Sequence, residues 1–238
     1  IENLPTPGGS VIAVAVAKGK ESPVSANKTL NFSGYEWKVR SATSERGGTP
    51  NLYDPANAWT DADGALHLRI ARQGERWTCA EVQLTRSLGY GSYMFVVRDS
   101  SQLEPAAVLG MLLWDNAAIS QNHREIDIEI TRWGDPASKN AQYAIQPYYV
   151  PANVARFTAP AGLLTHSFRW EPGQVAFRTV RGNAVNSATR GVASHVFTSG
   201  VPVPGGEIVH LNLYVYGSAT KPLQNEVEVI LEKFEFLP

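Results

Sequence analysis

Along this chain, apolar and polar residues alternate with a period of two, and glycine or proline interrupts the alternation at short intervals. Ala65–Ile70 places Leu66, Leu68 and Ile70 on one side and Ala65, His67 and Arg69 on the other. Runs at Ser92–Arg98, Val108–Trp114, Glu125–Thr131, Ala141–Gln146, His166–Trp170, Gln174–Thr179, Val209–Tyr216 and Glu226–Phe236 read the same way and are rich in Val, Ile, Leu, Tyr and Phe. Side chains alternate faces along a strand, so such runs predict strands with one face in a core. Asp63-Gly64, Gly89-Tyr90-Gly91, Pro172-Gly173 and Pro204-Gly205-Gly206 mark turns between them. No long 3.6-residue amphipathic pattern is present. Many short strands separated by turns predict an all-β antiparallel sandwich.

The 238 residues suit a single sandwich domain over 26–238, preceded by a Pro-, Gly- and Ser-rich arm over 1–25. A chain of this length buries enough surface to fold without disulfide or metal. Cys79 is the only cysteine, which excludes an intrachain disulfide and predicts a small buried hydrophobe. With 21 basic and 22 acidic residues there is no cationic excess to neutralise phosphates, so nucleic acid is not expected as a partner. The five histidines lack zinc-ligand spacing. No apolar run reaches the roughly 18 residues of a membrane span, and Val11–Ala17 is too short and lacks the basic lead-in of a signal peptide. A start at Ile1 suggests a processed product, so a secreted or periplasmic protein with its export signal removed is expected.

The most informative stretch is Arg124-Glu125-Ile126-Asp127-Ile128-Glu129-Ile130-Thr131. On a strand, the three isoleucines share the core face, and Glu125, Asp127 and Glu129 share the other. Like charges gathered on a half-buried face repel, and both repulsion and desolvation raise carboxyl pKa values. At least one of the three is therefore expected to stay protonated near neutral pH. An acid beside a base is what glycoside hydrolysis requires. Positions four apart on a strand lie roughly 13 Å apart at the backbone. Retaining glycosidases hold their two carboxyls about 5–5.5 Å apart, so a concave sheet and leaning side chains would have to close the gap. A solvated polar face on an edge strand is the alternative reading of this stretch alone.

Glu125-Ile126-Asp127-Ile128-Glu129 resembles the active-site signature of glycoside hydrolase family 16, which includes lichenases, laminarinases, agarases, carrageenases and xyloglucan-active enzymes. The single residue between Asp127 and Glu129 is similar to the lichenase and xyloglucan-active branches. His166-Ser-Phe-Arg-Trp170-Glu-Pro172-Gly173 with Val175-Ala-Phe177, Gly89–Tyr93, Asp63–Leu68, Leu211–Tyr214 and the final strand resemble family segments in order and type. The resemblance covers about residues 30–238. It implies a concanavalin A-like β-jelly-roll of two curved antiparallel sheets with an open concave cleft. It also implies roles: Glu125 as nucleophile, Glu129 as general acid and then base, and Asp127 between them, modulating both. Retention by double displacement on a β-linked polysaccharide, best matched to β-1,3 and/or β-1,4-glucan, would follow. A transglycosylase using the same residues and a non-catalytic carbohydrate-binding protein are the alternatives.

A sugar chain needs flat aromatic faces and hydrogen-bonding amides or carboxylates. Trp114, Trp133, Gln142, Gln146, Asn51, Glu81, Asn212 and Tyr214 are the expected contacts, several by their match to family positions such as the Gly47-Gly48-Thr49-Pro50-Asn51 turn. Trp133 and Trp114 divide evenly between sugar contact and core packing, whereas Trp170 and Tyr93 are expected in the core. Gln83 stands where lichenases carry Arg, and Arg124 where they commonly carry an acid. No cofactor is expected for catalysis. A structural calcium occurs in some relatives, but no acidic loop for one is plain here. The protein is expected to act as a monomer.

Overall fold

The structure is a computed structural model that describes residues 28–46, 49–183, 191–217 and 222–238. The expected N-terminal arm and the Gly47-Gly48 pair lie outside the described residues. Strands β1 (Thr29–Phe32), β2 (Tyr35–Val39), β3 (Ala42–Arg46), β4 (Thr49–Tyr53), β5 (Ala58–Thr60), β6 (Leu66–Gln73), β7 (Arg76–Leu84), β8 (Gly91–Val97) and β9 (Ala107–Trp114) precede a short 3-10 segment at Ile119–Arg124. Strands β10 (Ile126–Ile130), β11 (Ala141–Ile145), β12 (Val154–Phe157), β13 (Leu164–Glu171), β14 (Gln174–Arg181), β15 (Gly191–Phe197), β16 (Ile208–Val215) and β17 (Val227–Leu237) follow it. Every run expected from alternation is a strand. Strands β1 to β5, β7, β12 and β15 were not expected.

Ladder pairing gives two layers. The inner layer runs β1–β2–β7–β16–β9–β10–β11–β12. The outer layer runs β5–β6–β17–β8–β13–β14–β15. The β6–β7 hairpin pairs Ala71 with Thr78 and Gln73 with Arg76, carrying the ladder from one layer to the other. The result is a large, curved, nearly closed antiparallel sheet, a β-jelly-roll. One pairing is parallel: β4 lies along β7 through Leu52↔Thr78 and Tyr53↔Cys79.

The core fills the space between the layers. Tyr93 stacks on Phe168 at 4.7 Å, and Phe177 stacks on Tyr143 at 4.8 Å, so outer-layer rings meet the inner layer at β11. Trp37 of β2 meets Phe234 of β17 edge-on at 5.4 Å. Trp170 is fully buried and donates Nε1–H to the Pro202 carbonyl at 3.1 Å, which satisfies its one polar group. Cys79 is a free buried thiol pushed up to about 12 by burial. No helix among the described residues is long and apolar enough to cross a membrane.

One polar chain crosses this core. Tyr143 Oη and His166 Nδ1 both meet Thr179 Oγ1, at 2.5 and 2.9 Å. His166 Nε2 is buried without a partner among the described residues, and burial lowers the imidazole pKa from 6.5 to about 4. As pH falls through 6.5 the unfolded chain binds a proton that the folded chain refuses until about 4, so stability drops across that window. The loss is expected to reach about 3 kcal/mol at the acid end. Urea unfolding from pH 7 to 4 should therefore show a shallower decline for His166→Gln than for the wild type. Equal slopes would mean that another group controls the acid limb.

Candidate active site

β10 is built as its sequence demands. Ile126, Ile128 and Ile130 are all within 1% of full burial in the core, and Glu125, Asp127 and Glu129 face the concave side. The partners of β10 are β9 and β11, and their registers define transverse rows on the concave face. Asp127 lies between Leu112 and Ala144, and Glu129 between Gly110 and Gln142. Glu125 precedes Ile126, whose partner is Leu113, so Trp114 flanks it.

These neighbours decide which acid is neutral. Asp127 is 2% exposed between two apolar side chains. Burial first, then the charges of Glu125 and Glu129, then a hydrogen bond shared with Glu125, raise its pKa well above 3.8. Gln146 Nε2 opposes this weakly with a long 3.5 Å contact to Oδ2. The protonated group expected from charge crowding is therefore Asp127, the middle acid, which can donate its proton to the Glu125 carboxylate.

Glu129 has a different setting. Gln142 Nε2 donates to Glu129 Oε2 at 2.6 Å, and the Gln142 Oε1 atom accepts from Trp133 Nε1 at 3.0 Å and Arg156 Nη1 at 2.9 Å. Both Gln142 amide atoms are thus committed, and the carboxamide orientation is fixed. Arg156 also donates to the carbonyls of Thr131 and Lys139, so the guanidinium braces β10, β11 and the loop between them. Burial holds Arg156 below its ordinary range despite the attraction of Glu129. Trp133 reaches Gln142 because the chain turns back there, at φ 49°. Sequence reasoning missed Arg156, which lies on a four-residue strand without a pattern.

Across β9 the face closes. Asn212 is buried beside Gly110, and a Cβ at Gly110 would collide with its Oδ1, so only glycine lets this amide lie next to the Glu129 row. The Asn212 Oδ1 atom has no donor among the described residues. Glu81 is fully buried, and its Oε1 receives Arg40 Nη1 at 2.8 Å and Gln83 Nε2 at 2.6 Å, with His210 Nδ1 at 3.0 Å. Gln83, which stands where lichenases carry Arg, thus bonds Glu81. Tyr214 packs with Tyr53, Cys79 and Val108, under Trp133 and Tyr216. Asn51 is buried, exchanging hydrogen bonds with the Val215 backbone at 3.2 Å in both directions and accepting from the Cys79 thiol. The structure therefore gathers Trp114, Trp133, Gln142, Gln146 and Asn212 around the acids. Register puts Glu81 in the Glu129 row, beyond Gly110 and Asn212, and Tyr214 two residues from Asn212 on the same face, while Asn51 is bonded to the Val215 backbone.

The approach to Glu125 is held under strain. Asn122, His123 and Arg124 have φ of 50°, 57° and 54°, a run of left-handed non-glycine residues that costs roughly 1–2 kcal/mol each. Asp115 holds the loop. It accepts from Ala117 N at 2.9 Å, Gly206 N at 3.0 Å and Arg124 Nε at 3.1 Å. Burial works against the Asp115 charge, but the two backbone donors and the guanidinium outweigh it and keep the carboxyl below its ordinary range. Arg124 Nη1 also donates to the Val203 carbonyl at 2.7 Å. His123 stacks on Trp114 with centroids 4.0 Å apart, covering one indole face. A cavity of about 300 Å³ opens beside Glu125, bounded by Gln121, Asn122, Gln146 and residues 200–203. Among the described residues no group of three or more His, Cys, Asp or Glu side chains is arranged to hold a metal ion.

A curved β-jelly-roll with an acid-bearing strand on its concave face is the class that this fold and site define. No family model matches the chain, and no curated protein matches it in sequence. Solved structures do. The β-glucanase of Bacillus licheniformis superposes with a TM-score of 0.64 at 15% identity, over 90% of this chain and all 100% of the other. A β-1,3-1,4-glucanase (lichenase) from a mouse hindgut metagenome gives 0.61 at 17%, over 84% and 92%. An immunostimulatory antigen and pseudo β-1,3-glucanase of Mycobacterium tuberculosis gives 0.61 at 17%, over 82% and 88%. The chain has the jelly-roll fold of the glycoside hydrolase family 16 β-glucanases.

A raised Asp127 pKa has a consequence for stability. The unfolded carboxyl ionises near 3.8, and the folded one resists, so the site destabilises the fold increasingly as pH rises above that value. Asp127→Asn keeps the shape without the charge. It should melt at a higher temperature than the wild type at pH 7, and the two should converge near pH 3. A variant that melts lower at pH 7 would mean that Asp127 is ionised there and held by the fold.

Proposed function

We propose that the protein is a retaining, endo-acting glycoside hydrolase of a β-linked glucan, with β-1,3 and/or β-1,4 linkages as its targets, working outside the cytoplasm where such polymers are met. The observation that carries this reading is the buried Asp127, its carboxyl pushed well above the ordinary range by burial and by Glu125 and Glu129, while Glu129 on the same face is oriented by Gln142.

The chemistry divides between the outer two acids. Glu125 attacks the anomeric carbon as a carboxylate, while Glu129 in its acid form delivers a proton to the departing glycosidic oxygen. The Asp127 proton, donated to Glu125, keeps the nucleophile in place and removes a negative charge beside it. Esterification of Glu125 then cancels one of the charges that raises Asp127, so the middle acid adapts as the intermediate forms. Glu129, now a base, takes a proton from water, which attacks the same carbon from the face the leaving group vacated, and the β-configuration returns. Gln142, held from the other side by Trp133 and Arg156, keeps Glu129 aimed through both steps.

A binding-only role is the second reading. It draws support from the buried state of Glu81, His210 and Asn212, which narrows the concave face, and from the pseudo-glucanase among the proteins of this fold. Incubation with lichenan, laminarin, xyloglucan and agarose, followed by measurement of reducing ends, separates the two. Release from at least one β-glucan is expected. Binding without release would select the second reading.

Glu125→Ala is expected to abolish turnover with the fold retained. Glu129→Ala should lose about 10²–10⁴-fold in turnover of natural substrate. Azide should restore part of that loss on an activated aryl glycoside, with a retained β-glycosyl azide as product. An inverted azide product would exchange the two roles.

A further inference from the structure

Exposed apolar side chains are few, and they cluster. Of the seven large ones exposed among the described residues, five (Ile119, Tyr148, Tyr149, Val150 and Val203) stand in the three loops that surround the Glu125 cavity. Isolated exposed hydrophobics are ordinary, but a cluster beside a polar cavity marks a binding surface. Tyr148 and Tyr149 are 68% and 74% exposed, with ring centroids 6.1 Å apart at 73°, so each can offer a ring face to solvent. Their loop is built as a rigid turn. Val150 N donates to the Pro147 carbonyl at 3.1 Å, and Asn153 Nδ2 donates to the same carbonyl at 3.2 Å. The loop is also tied to the acids: Tyr148 N donates to Gln146 Oε1 at 2.8 Å, and Gln146 Nε2 points toward Asp127.

The charge of the cavity narrows what can lie there. Among the described residues Glu125 is its only charged lining residue, and the rest of the wall is amide, valine, proline and glycine. The one arginine of these loops, Arg124, is engaged by Asp115 and by the Val203 carbonyl. A sulfated or uronic chain would meet the Glu125 carboxylate in this wall. A neutral pyranose chain presents C–H faces to rings and hydroxyls to amides, which is what the wall supplies.

We propose that Tyr148 and Tyr149 form an outer platform on which a neutral polysaccharide stacks as it leaves the Glu125 cavity, making this loop a determinant of chain-length and charge preference. The pyranose identity of the ligand rests on the glycosidase reading of the three acids. The platform itself is a binding surface and is read by binding.

Electrophoresis through gels carrying lichenan, laminarin, xyloglucan or a carrageenan tests it, with reducing ends measured on the same protein. Wild type should be retarded by at least one neutral gel and not by carrageenan. Tyr148→Ala/Tyr149→Ala should weaken that retardation by about tenfold. Tyr148→Phe/Tyr149→Phe should stay within about twofold, because the ring face and not the hydroxyl makes the contact. Equal retardation of the alanine pair and the wild type overturns the platform and leaves the glycosidase reading untouched. No retardation of the wild type in any neutral gel also overturns it. Retardation without reducing ends keeps the platform and removes the hydrolase reading. Retardation by carrageenan as strong as by a neutral glucan overturns the assignment to neutral chains.

Discussion

Everything in this molecule turns on the two-residue period of β10. Three isoleucines fix one face of the strand in the core, and that fixes three carboxylates on the other. A shift of one residue would put the acids in the core and the isoleucines in the cleft, so the register cannot slip. The neighbouring strands then differentiate three similar groups. Leu112 and Ala144 beside Asp127 offer it nothing to bond, and desolvation pushes its carboxyl pKa up. Gly110 and Gln142 beside Glu129 give it space on one side and a fixed amide on the other. Pairing alone sorts the acids into distinct roles, with no need for distinct residue types.

Holding like charges on a half-buried face costs stability, and the structure surrounds them with bonded groups that pin the backbone. Arg156 ties the ends of β10 and β11 through Thr131 and Lys139. Asp115 collects two backbone N–H groups and Arg124, anchoring the left-handed stretch that delivers Glu125. These two braces sit at opposite ends of the acid row. A polar network of this kind fixes geometry when each member is satisfied, and here the amide of Gln142 and the carboxylate of Asp115 both meet several partners.

The fold was legible where one face of a strand is apolar and the other is not. β10 and β6 announced themselves this way. β7 did not, because both of its faces are buried: Ala80, Val82 and Leu84 in the core, and Cys79 and Glu81 under β4 and Arg40. Polar residues inside a packed cleft look like surface residues in a sequence. The same blind spot explains Glu81 and Asn51, whose hydrogen-bonding capacity is used within the protein. β3 and β4 carry mostly polar residues, and Pro50 argues against a strand there. Trp133 is expected at either a sugar or the core, and in the structure its Nε1 holds Gln142 while its ring packs edge-on against Tyr216 at 5.2 Å. Gly134 signalled the turn after it. The direction in which a left-handed residue swings its side chain is set by the tertiary neighbours, which no local pattern contains.

The jelly-roll alone does not separate a catalyst from a binder, since proteins of this fold include a β-glucanase and a pseudo β-1,3-glucanase. What separates the two is the energetic cost of holding the acids. A protein that only bound sugar would gain from replacing Asp127 with a neutral side chain, because burial and two neighbouring charges oppose its ionised form. A binding role would also have no use for a carboxylate at 129 aimed by a glutamine that is itself clamped from two sides. Three acids in these settings are an expensive way to hold a neutral sugar and a direct way to break its acetal. The energetic disadvantage of the site is the strongest physical argument that it is used for chemistry.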